Sequence, residues 1–506
     1  MLEYTIPLII RGRIIEDNLV RFEARRGVVA FQTPDVNQYI DEIVLKDPSK
    51  IGDLYDISLA EIIDYLVELG PRLSPDTNPY IAQSLDIAVQ TAGLKREQLY
   101  GAYLALSASL NREFLMDIVE QNIGSRYLEG WDTYKLHDRE IAVRAFGSRI
   151  VHLNAGNSPI LTLFAVINGS ILRCDNIVKS PSNDPFTMFA IVKTMIDMAP
   201  DHPITRHFTV GYWKGGDVEF EKRLYGGGAI DKIVAWGGMA SMKSIRGYIG
   251  PGLDLIALDP KISASIIGPE ALASEASMDE AARRLAMDVG FYNQEGCVSS
   301  RVAYIASGTQ DDDIDRLNKF GKKVQAALQA LPSNLSTPHP SFDAHLKDEI
   351  DGIRYSDSYR VFGCKANEGG VIVSQTNDPV DFRDYLACRV VNLVPLDHVE
   401  EALDHVTVHT QTLGVYPASL KAEIRDRCLL HGAQRITDLG CAVAEGMANP
   451  HDAIELLRRM ARWGMMETFT PEMIEAGAGW AISDAQRNPQ NDDKHPAAVV
   501  HQMAEH

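Results

Sequence analysis

From about residue 147, short apolar runs alternate with longer stretches in which apolar positions recur at helical spacing. Arg149 to Leu153 reads as a strand, Leu161 to Leu172 as an apolar, buried helix, Asn176 to Lys179 as a second strand and Pro185 to Met198 as a second helix. His207 to Trp213 is a third strand, followed by a charged helix near Asp217 to Leu224. Ile233 to Trp236 is a fourth strand, followed by Gly237-Gly238 and a helix through Ile249. Repeated strand–helix units of this length predict a parallel, doubly wound sheet, and such sheets hold ligands at the carboxyl ends of their strands. A second α/β unit spans roughly 256 to 415. In it Met278, Ala282, Leu285 and Val289, at i, i+4, i+7 and i+11, mark an amphipathic helix stopped by Gly290, and Arg301 to Ala306 marks a strand.

Residues 1 to 146 follow another pattern. Two early strands are expected, Tyr4 to Ile10 and Val28 to Phe31, then a helix-rich stretch from Ser58 to Gln121 whose packing the linear pattern does not place. Loops rich in Pro, Ser and Asp occupy Leu331 to Phe342 and Gln375 to Pro379. A helical segment, Asp452 to Trp463, precedes a polar, frayed end from Asn488 to His506. There is no internal repeat and no low-complexity tract.

A chain of 506 residues exceeds one ordinary core and predicts two or three domains. With 45% hydrophobic and 23% charged residues it has the composition of a globular protein. A net charge of −20 argues against broad nucleic-acid or anionic-membrane binding, while leaving room for a local basic pocket. No apolar run is long enough to span a membrane, and Met1-Leu2-Glu3-Tyr4-Thr5 does not begin a signal peptide. Cys174, Cys297, Cys364, Cys388, Cys428 and Cys441 form neither a C-x-x-C pair nor a cluster with histidine. They read as reduced thiols of a cytoplasmic protein, with no metal site.

Cys297 stands apart. It lies in Asn293-Gln294-Glu295-Gly296-Cys297-Val298-Ser299-Ser300-Arg301, a polar loop between the amphipathic helix and the next strand. A cysteine there faces a cleft, where a thiolate nucleophile is useful; the alternative is a small buried hydrophobe. Three strand–helix junctions add candidates. Leu153-Asn154-Ala155-Gly156-Asn157-Ser158-Pro159 points Asn157 into the ligand crevice, where its amide can donate to a developing oxyanion, unless it is an ordinary Asn/Gly turn. Lys179-Ser180-Pro181-Ser182 places a lysine at the carboxyl edge of the sheet, suited to a ribose or phosphate. It lacks the acid that rejects a 2′-phosphate, so Lys179 and Ser182 favour or tolerate NADP. Trp236-Gly237-Gly238 lets backbone N–H groups approach a pyrophosphate at a helix N-terminus, although it is no G-x-G-x-x-G.

Taken in order, Asn157, Lys179, Gly237-Gly238 and Asn293-Gln294-x-x-Cys297 resemble the aldehyde dehydrogenase superfamily. Val234-Ala235-Trp236-Gly237-Gly238, Asp259-Pro260-Lys261-Ile262-Ser263, Cys297 with Arg301, and Arg389-Val390-Val391-Asn392-Leu393-Val394-Pro395 are similar to its acyl-thioester reductase branch, the type found in bacterial bioluminescence. The resemblance covers about residues 140 to 440. It implies an α/β fold with a doubly wound NADP-binding domain and an α/β catalytic domain. The first takes residues 1–255 with the helical N-terminal region, the second 256–415 with Cys297, and parts of 416–506 pack back on the first. Cys297 matches the family nucleophile, with its own backbone N–H as an oxyanion donor beside Asn157. Lys179 matches the ribose-binding lysine, and Gly237 and Gly238 the pyrophosphate turn. Hydrolytic members carry a water-activating glutamate in Glu-Leu-Gly-Gly-Lys; here the run is Leu255-Ile256-Ala257-Leu258-Asp259-Pro260-Lys261. Asp259 is a candidate replacement base, or simply part of an Asp-Pro turn. The Glu-x-Phe-Gly-Pro region reads Ala387-Cys388-Arg389-Val390-Val391-Asn392, leaving the nicotinamide-ribose contacts unassigned.

The expected activity is NADPH-dependent reduction of an acyl thioester, acyl-CoA or a fatty acyl relative, to the aldehyde through S-acyl Cys297. A CoA-acylating oxidation and an acyl-transfer component without redox turnover stay open. The resemblance further implies a homo-oligomer and an acyl-activating partner enzyme.

Overall fold

A computed structural model describes residues 2–24, 29–136, 139–444, 446 and 448–477. The chain forms two units, one drawn from residues up to Ile123 and from Gly147 to Ala461, the other from Gly124–Phe146 and the described residues from Arg462 onward. The smaller unit is an antiparallel sheet of Asp132–Leu136, Arg139–Phe146 and Arg462–Phe469. Trp131 packs edge-on to Phe146, and Tyr127 to Trp463.

The larger unit holds two seven-stranded sheets. The first runs Asp254–Leu258, Lys232–Trp236, Arg149–Leu153, Asp175–Lys179, Phe208–Gly211, Leu8–Ile10 and Arg13–Ile15. Its first five strands are parallel, and the last two close the edge antiparallel. Side chains alternate across it. Val151, Leu153, Ile177, Ile233 and Ala235 face Phe220 and Leu224 of the helix Val218–Tyr225 and Met242 and Ile245 of the helix Met239–Arg246. The helix Pro159–Ile171 is buried on nearly every position because it packs against the strand Asp175–Lys179 and the N-terminal helices Leu59–Arg72 and Arg96–Ala108.

The second sheet runs Tyr359–Gly363, Gly370–Ser374, Val390–Pro395, Ser300–Ile305, Ile262–Ile267, Thr410–Tyr416 and Arg435–Asp438. All its pairings are parallel except the first. Val302 and Tyr304 enter one core, Ala303 and Ile305 the other, where the helices Glu275–Gly290 and Asp311–Gln329 lie. This is the expected α/β architecture with parallel sheets.

Two expectations are corrected. Tyr4 to Ile10 is not one strand: Leu2–Thr5 pairs with Val29–Pro34 in a small sheet, and Leu8–Ile10 joins the first large sheet. Pro7 between them has no N–H for a continuous ladder. Val28, at the start of the second expected strand, lies outside the described residues, as does the end from Asn488. Asp452 to Trp463 is helical only over Leu456–Met460. Asp452 and Ala453 have φ of 50° and 60°, and from Arg462 the chain takes strand pairing. Ladder hydrogen bonds there override helix propensity.

Candidate active site

The chain leaves the helix Glu275–Gly290 through three successive left-handed residues, Tyr292, Asn293 and Gln294, with φ of 45°, 54° and 69°. For residues with a Cβ this costs about 1–2 kcal/mol each, so it persists only where neighbours over-determine it. The two amides of the motif supply that restraint. Gln294 Nε2 donates to the Ser300 and Val390 carbonyls at 2.8 and 2.9 Å, and its Oε1 accepts from the Val390 N–H at 2.9 Å. Asn293 Oδ1 accepts from Gln98 Nε2 at 3.0 Å and the Thr337 N–H at 2.8 Å, while Nδ2 reaches the Gly93 carbonyl at 3.2 Å. Three segments distant in sequence thus hold the turn that presents Cys297. The Cys297 carbonyl accepts from Ser263 Oγ at 2.7 Å, which fixes the peptide that follows.

Arg301 lies behind this loop and donates to the Leu386 carbonyl. Burial lowers its pKa, and the interactions with Cys297, Glu295, Asp384 and Cys388 oppose that shift. The guanidinium and the Cys297 sulfur therefore interact electrostatically. Glu295 accepts from or shares a proton with buried His339 at 2.9 Å. Burial lowers the His339 pKa, but Cys388 and Glu295 outweigh it and push it up to about 9.

Asn157 Nδ2 donates to the Glu295 carbonyl at 3.3 Å, which docks the Asn157 turn against the cysteine loop. A carboxamide nitrogen carries a second N–H, available to a substrate oxygen. From the other side Asn183 Nδ2 donates to the Gly156 carbonyl at 2.9 Å. A Cβ on Gly156 would lie 2.8 Å from the Pro181 ring, so the turn requires glycine there.

One cavity of about 1110 Å³ joins these parts. Cys297, Asn157, Lys179, Ser182, Gly237 and Gly238, all six sequence candidates, line it. Lys179 sits against the Tyr212 and Trp213 rings, and burial lowers its pKa while the Glu221 carboxylate opposes that. Gly238 caps the helix Met239–Arg246 without a side-chain hydrogen bond, and a Cβ on Gly238 would meet no atom within 4 Å. The first N–H groups of that helix thus lack a side-chain acceptor at the cavity wall. Asp259 also lines the cavity, but both its oxygens accept from Arg246 Nη2, at 3.1 and 3.0 Å. Among the described residues no cluster of His, Cys, Asp or Glu could hold a metal ion, and no helix is long and apolar enough to cross a membrane.

Several wall residues had no local signal: Phe114 from the N-terminal helices, Glu221 and Tyr225 from the helix after the third strand, and Gln411, Val443, His451 and Asp452 from the end of the unit. They converge only by long-range packing. The helical periodicity of 112–122 marks a buried face there but not what that face borders.

Residues 54–463 match the family described as acyl-CoA reductase (LuxC). The long-chain acyl-protein thioester reductase of Vibrio harveyi is 27% identical over 478 residues, covering 91% of this chain and 93% of that protein. Among solved structures, lactaldehyde dehydrogenase from Escherichia coli superposes with a TM-score of 0.68 at 12% identity, over 93% of this chain and 100% of that one. NADP-dependent glyceraldehyde-3-phosphate dehydrogenase from Bacillus halodurans, complexed with NADP, gives 0.67 at 12% identity over 92% and 99%. The chain belongs to the acyl-CoA reductase (LuxC) family, and it is an aldehyde-forming oxidoreductase on the aldehyde dehydrogenase fold.

Proposed function

We propose that this protein reduces a long-chain acyl thioester to the aldehyde, with NADPH as reductant and Cys297 as the covalent carrier of the acyl group. The observation that carries the reading is the single cavity in which Cys297 and Asn157 stand with Lys179, Ser182 and the uncapped helix N-terminus at Gly237-Gly238. The long-chain substrate class follows the name of the Vibrio harveyi relative.

The cavity fits a dinucleotide. The N–H groups at Gly238 and the first turn of Met239–Arg246 suit a pyrophosphate, and Lys179 suits a ribose, with Ser182 tolerating a 2′-phosphate where NAD-specific sites place an acid. The Bacillus halodurans neighbour holds NADP on the same fold. Bound there, NADPH supplies the hydride that the acyl carbonyl accepts.

The chain's own groups do the rest. The Cys297 thiolate attacks the thioester, and the Arg301 guanidinium stabilises negative charge on that sulfur. The leaving and attacking groups are both thiolates, and a free thiol titrates at roughly 8.5, so no strong acid is needed. Asn157 Nδ2 and the Cys297 N–H donate to the carbonyl oxygen as it gains charge, each donor worth about 2.7–4 kcal/mol in rate terms. The thiohemiacetal on Cys297 then expels the aldehyde and restores the thiolate. Water must not intercept the acyl-cysteine, and Asp259, tied to Arg246 by two hydrogen bonds, is a poor general base for it. The carrier is CoA or a cysteine of an acyl-activating partner, and the reaction belongs to the cytoplasm.

The test is acyl-dependent loss of NADPH absorbance with the aldehyde trapped by a hydrazine. Cys297→Ala should abolish both acyl labelling and reduction while NADPH still binds. Turnover retained in Cys297→Ala would sink the covalent reading, and NADPH oxidation without aldehyde would sink the reductase reading.

A further inference from the structure

Two helices border the cavity with matching stripes. On Arg112–Asn122 the residues Phe114, Ile118 and Asn122 recur at every fourth position, and on Pro159–Ile171 the residues Ile160, Phe164 and Asn168 do the same. Side chains four apart share a helix face, so each stripe runs about 12 Å along its helix. Phe114, Ile160 and Phe164 lie on the 1110 Å³ cavity that holds Cys297. Ile118, Asn122, Phe164 and Asn168 lie on a second chamber of only about 20 Å³, shared with Trp236 and His451. That is room for about one water molecule.

Phe164 therefore stands on both walls. Its side chain is buried, at 4% exposure, and it is the residue of the two stripes that lines both spaces, as Trp236 and His451 do from outside the stripes. The chemistry changes across it. Toward Cys297 the stripes are aromatic and aliphatic, and beyond it they end in the amides of Asn122 and Asn168. Asn122 is itself held in place, its Nδ2 donating to the Ala448 carbonyl at 2.7 Å. Methylenes gain by lying along the apolar part. Pushed past the ring, they would displace water from amides without replacing its hydrogen bonds.

We infer that Phe164 is the stop for the acyl chain: the ring sets the longest acyl group that can lie in the cavity while its thioester reaches Cys297. This rests on the reductase reading above and adds the residue that fixes its length specificity. Removing the ring joins the small chamber to the large cavity and gives the chain space along the helix pair.

The test is the profile of kcat/KM against chain length for an even-numbered saturated acyl-CoA series, in the wild-type chain, Phe164→Leu and Phe164→Ala. The optimum should move to longer chains in that order. The ratio of kcat/KM for a chain about two carbons beyond the wild-type optimum to that at the optimum should rise at least about tenfold in Phe164→Ala, the low end of what a methylene is worth in an apolar pocket. Chains shorter than the optimum and the NADPH dissociation constant should be little changed. Where Phe164→Ala fails to fold, Phe164→Leu carries the comparison. In the Phe164→Ala background, Ile118→Phe, which refills the small chamber, should move the optimum back to shorter chains. A folded Phe164→Leu with an unmoved optimum, or an equal loss at every length, overturns the stop. A wild-type chain that forms no aldehyde from any acyl-CoA, or from an acylated carrier protein, overturns the reductase reading instead.

Discussion

Gln294 is the residue on which the geometry of the nucleophile most depends. It makes three hydrogen bonds in a buried site, two of them to the N–H and carbonyl of the same residue, Val390, in the manner of a strand partner. Gln294→Ala takes the amide donor from two carbonyls and the better acceptor from that N–H, which keeps only the Ala387 carbonyl at 3.2 Å, beside a left-handed turn. The expected loss is about 2–3 kcal/mol of stability, read by urea unfolding, with kcat falling far more than nucleotide affinity. Equal losses in both would mean the turn is merely structural. At this scale the sequence was informative: Cys297, Asn157, Lys179, Ser182, Gly237 and Gly238 all stand out as candidates and all line one cavity. What each candidate binds was not legible. Asn293 and Gln294 are visible as motif residues, but Gln98 and Val390 are some hundred or more positions away, and no local pattern encodes that pairing.

Among the elements, the helix Glu275–Gly290 does more than lead into the cysteine loop. From its last turn Asp288 accepts the Gly440 N–H at 2.8 Å and the Ala442 N–H at 2.9 Å. Arg435 grips the same segment, donating to the Ala442 carbonyl at 2.6 Å. This clamp positions Val443 on the cavity wall. Asp288→Ala should release residues 440–444 to limited proteolysis and lower the unfolding free energy by about 2–3 kcal/mol, because one buried and one half-buried N–H lose their acceptor. KM for the acyl thioester should rise more than KM for NADPH. An unchanged proteolytic pattern would refute the clamp. The helix is legible from its apolar spacing, whereas the helix expected over Asp452 to Trp463 shrinks to Leu456–Met460, since the residues around it satisfy their backbone by turns and by strand pairing with partners far away in sequence.

For the whole molecule, buried carboxyls shape the pH dependence of stability. Burial pushes Asp184 and Asp288 up from 3.8 to about 6, against the hydrogen bonds that favour their charged forms. Between those two pH values the folded chain binds protons that the unfolded chain has released. Stability therefore falls as pH rises through this window, opposite to the usual effect of paired carboxylates. Carboxylates held down by ion pairs, such as Glu275 beside Lys319 and Lys323, are exposed and screened, so they offset little of it. Asp184→Asn keeps an acceptor for the Thr187 N–H and hydroxyl and removes the buried charge. It should flatten the slope between about pH 4 and 6 and stabilise the chain at pH 7 by on the order of 3 kcal/mol. Denaturant unfolding across that range checks it, and an unchanged slope would rule Asp184 out as its source.

By itself the sequence determined the alternation of strands and helices in the first sheet, the parallel class that follows from it, one helix and one strand of the second unit, and the residues at the strand ends where chemistry gathers. Each of these is written in local periodicity and in the residue types that loops and turns require. Only the tertiary structure decided that Asp259 spends its carboxylate on Arg246, that the N-terminal helices supply a wall of the cavity, and that Val443, His451 and Asp452 line it. Those outcomes depend on which distant segments burial brings together, and burial is a property of the packed molecule: the same apolar stripe on Arg112–Asn122 buries equally well against a core or around a cavity, and nothing in its own spacing distinguishes the two.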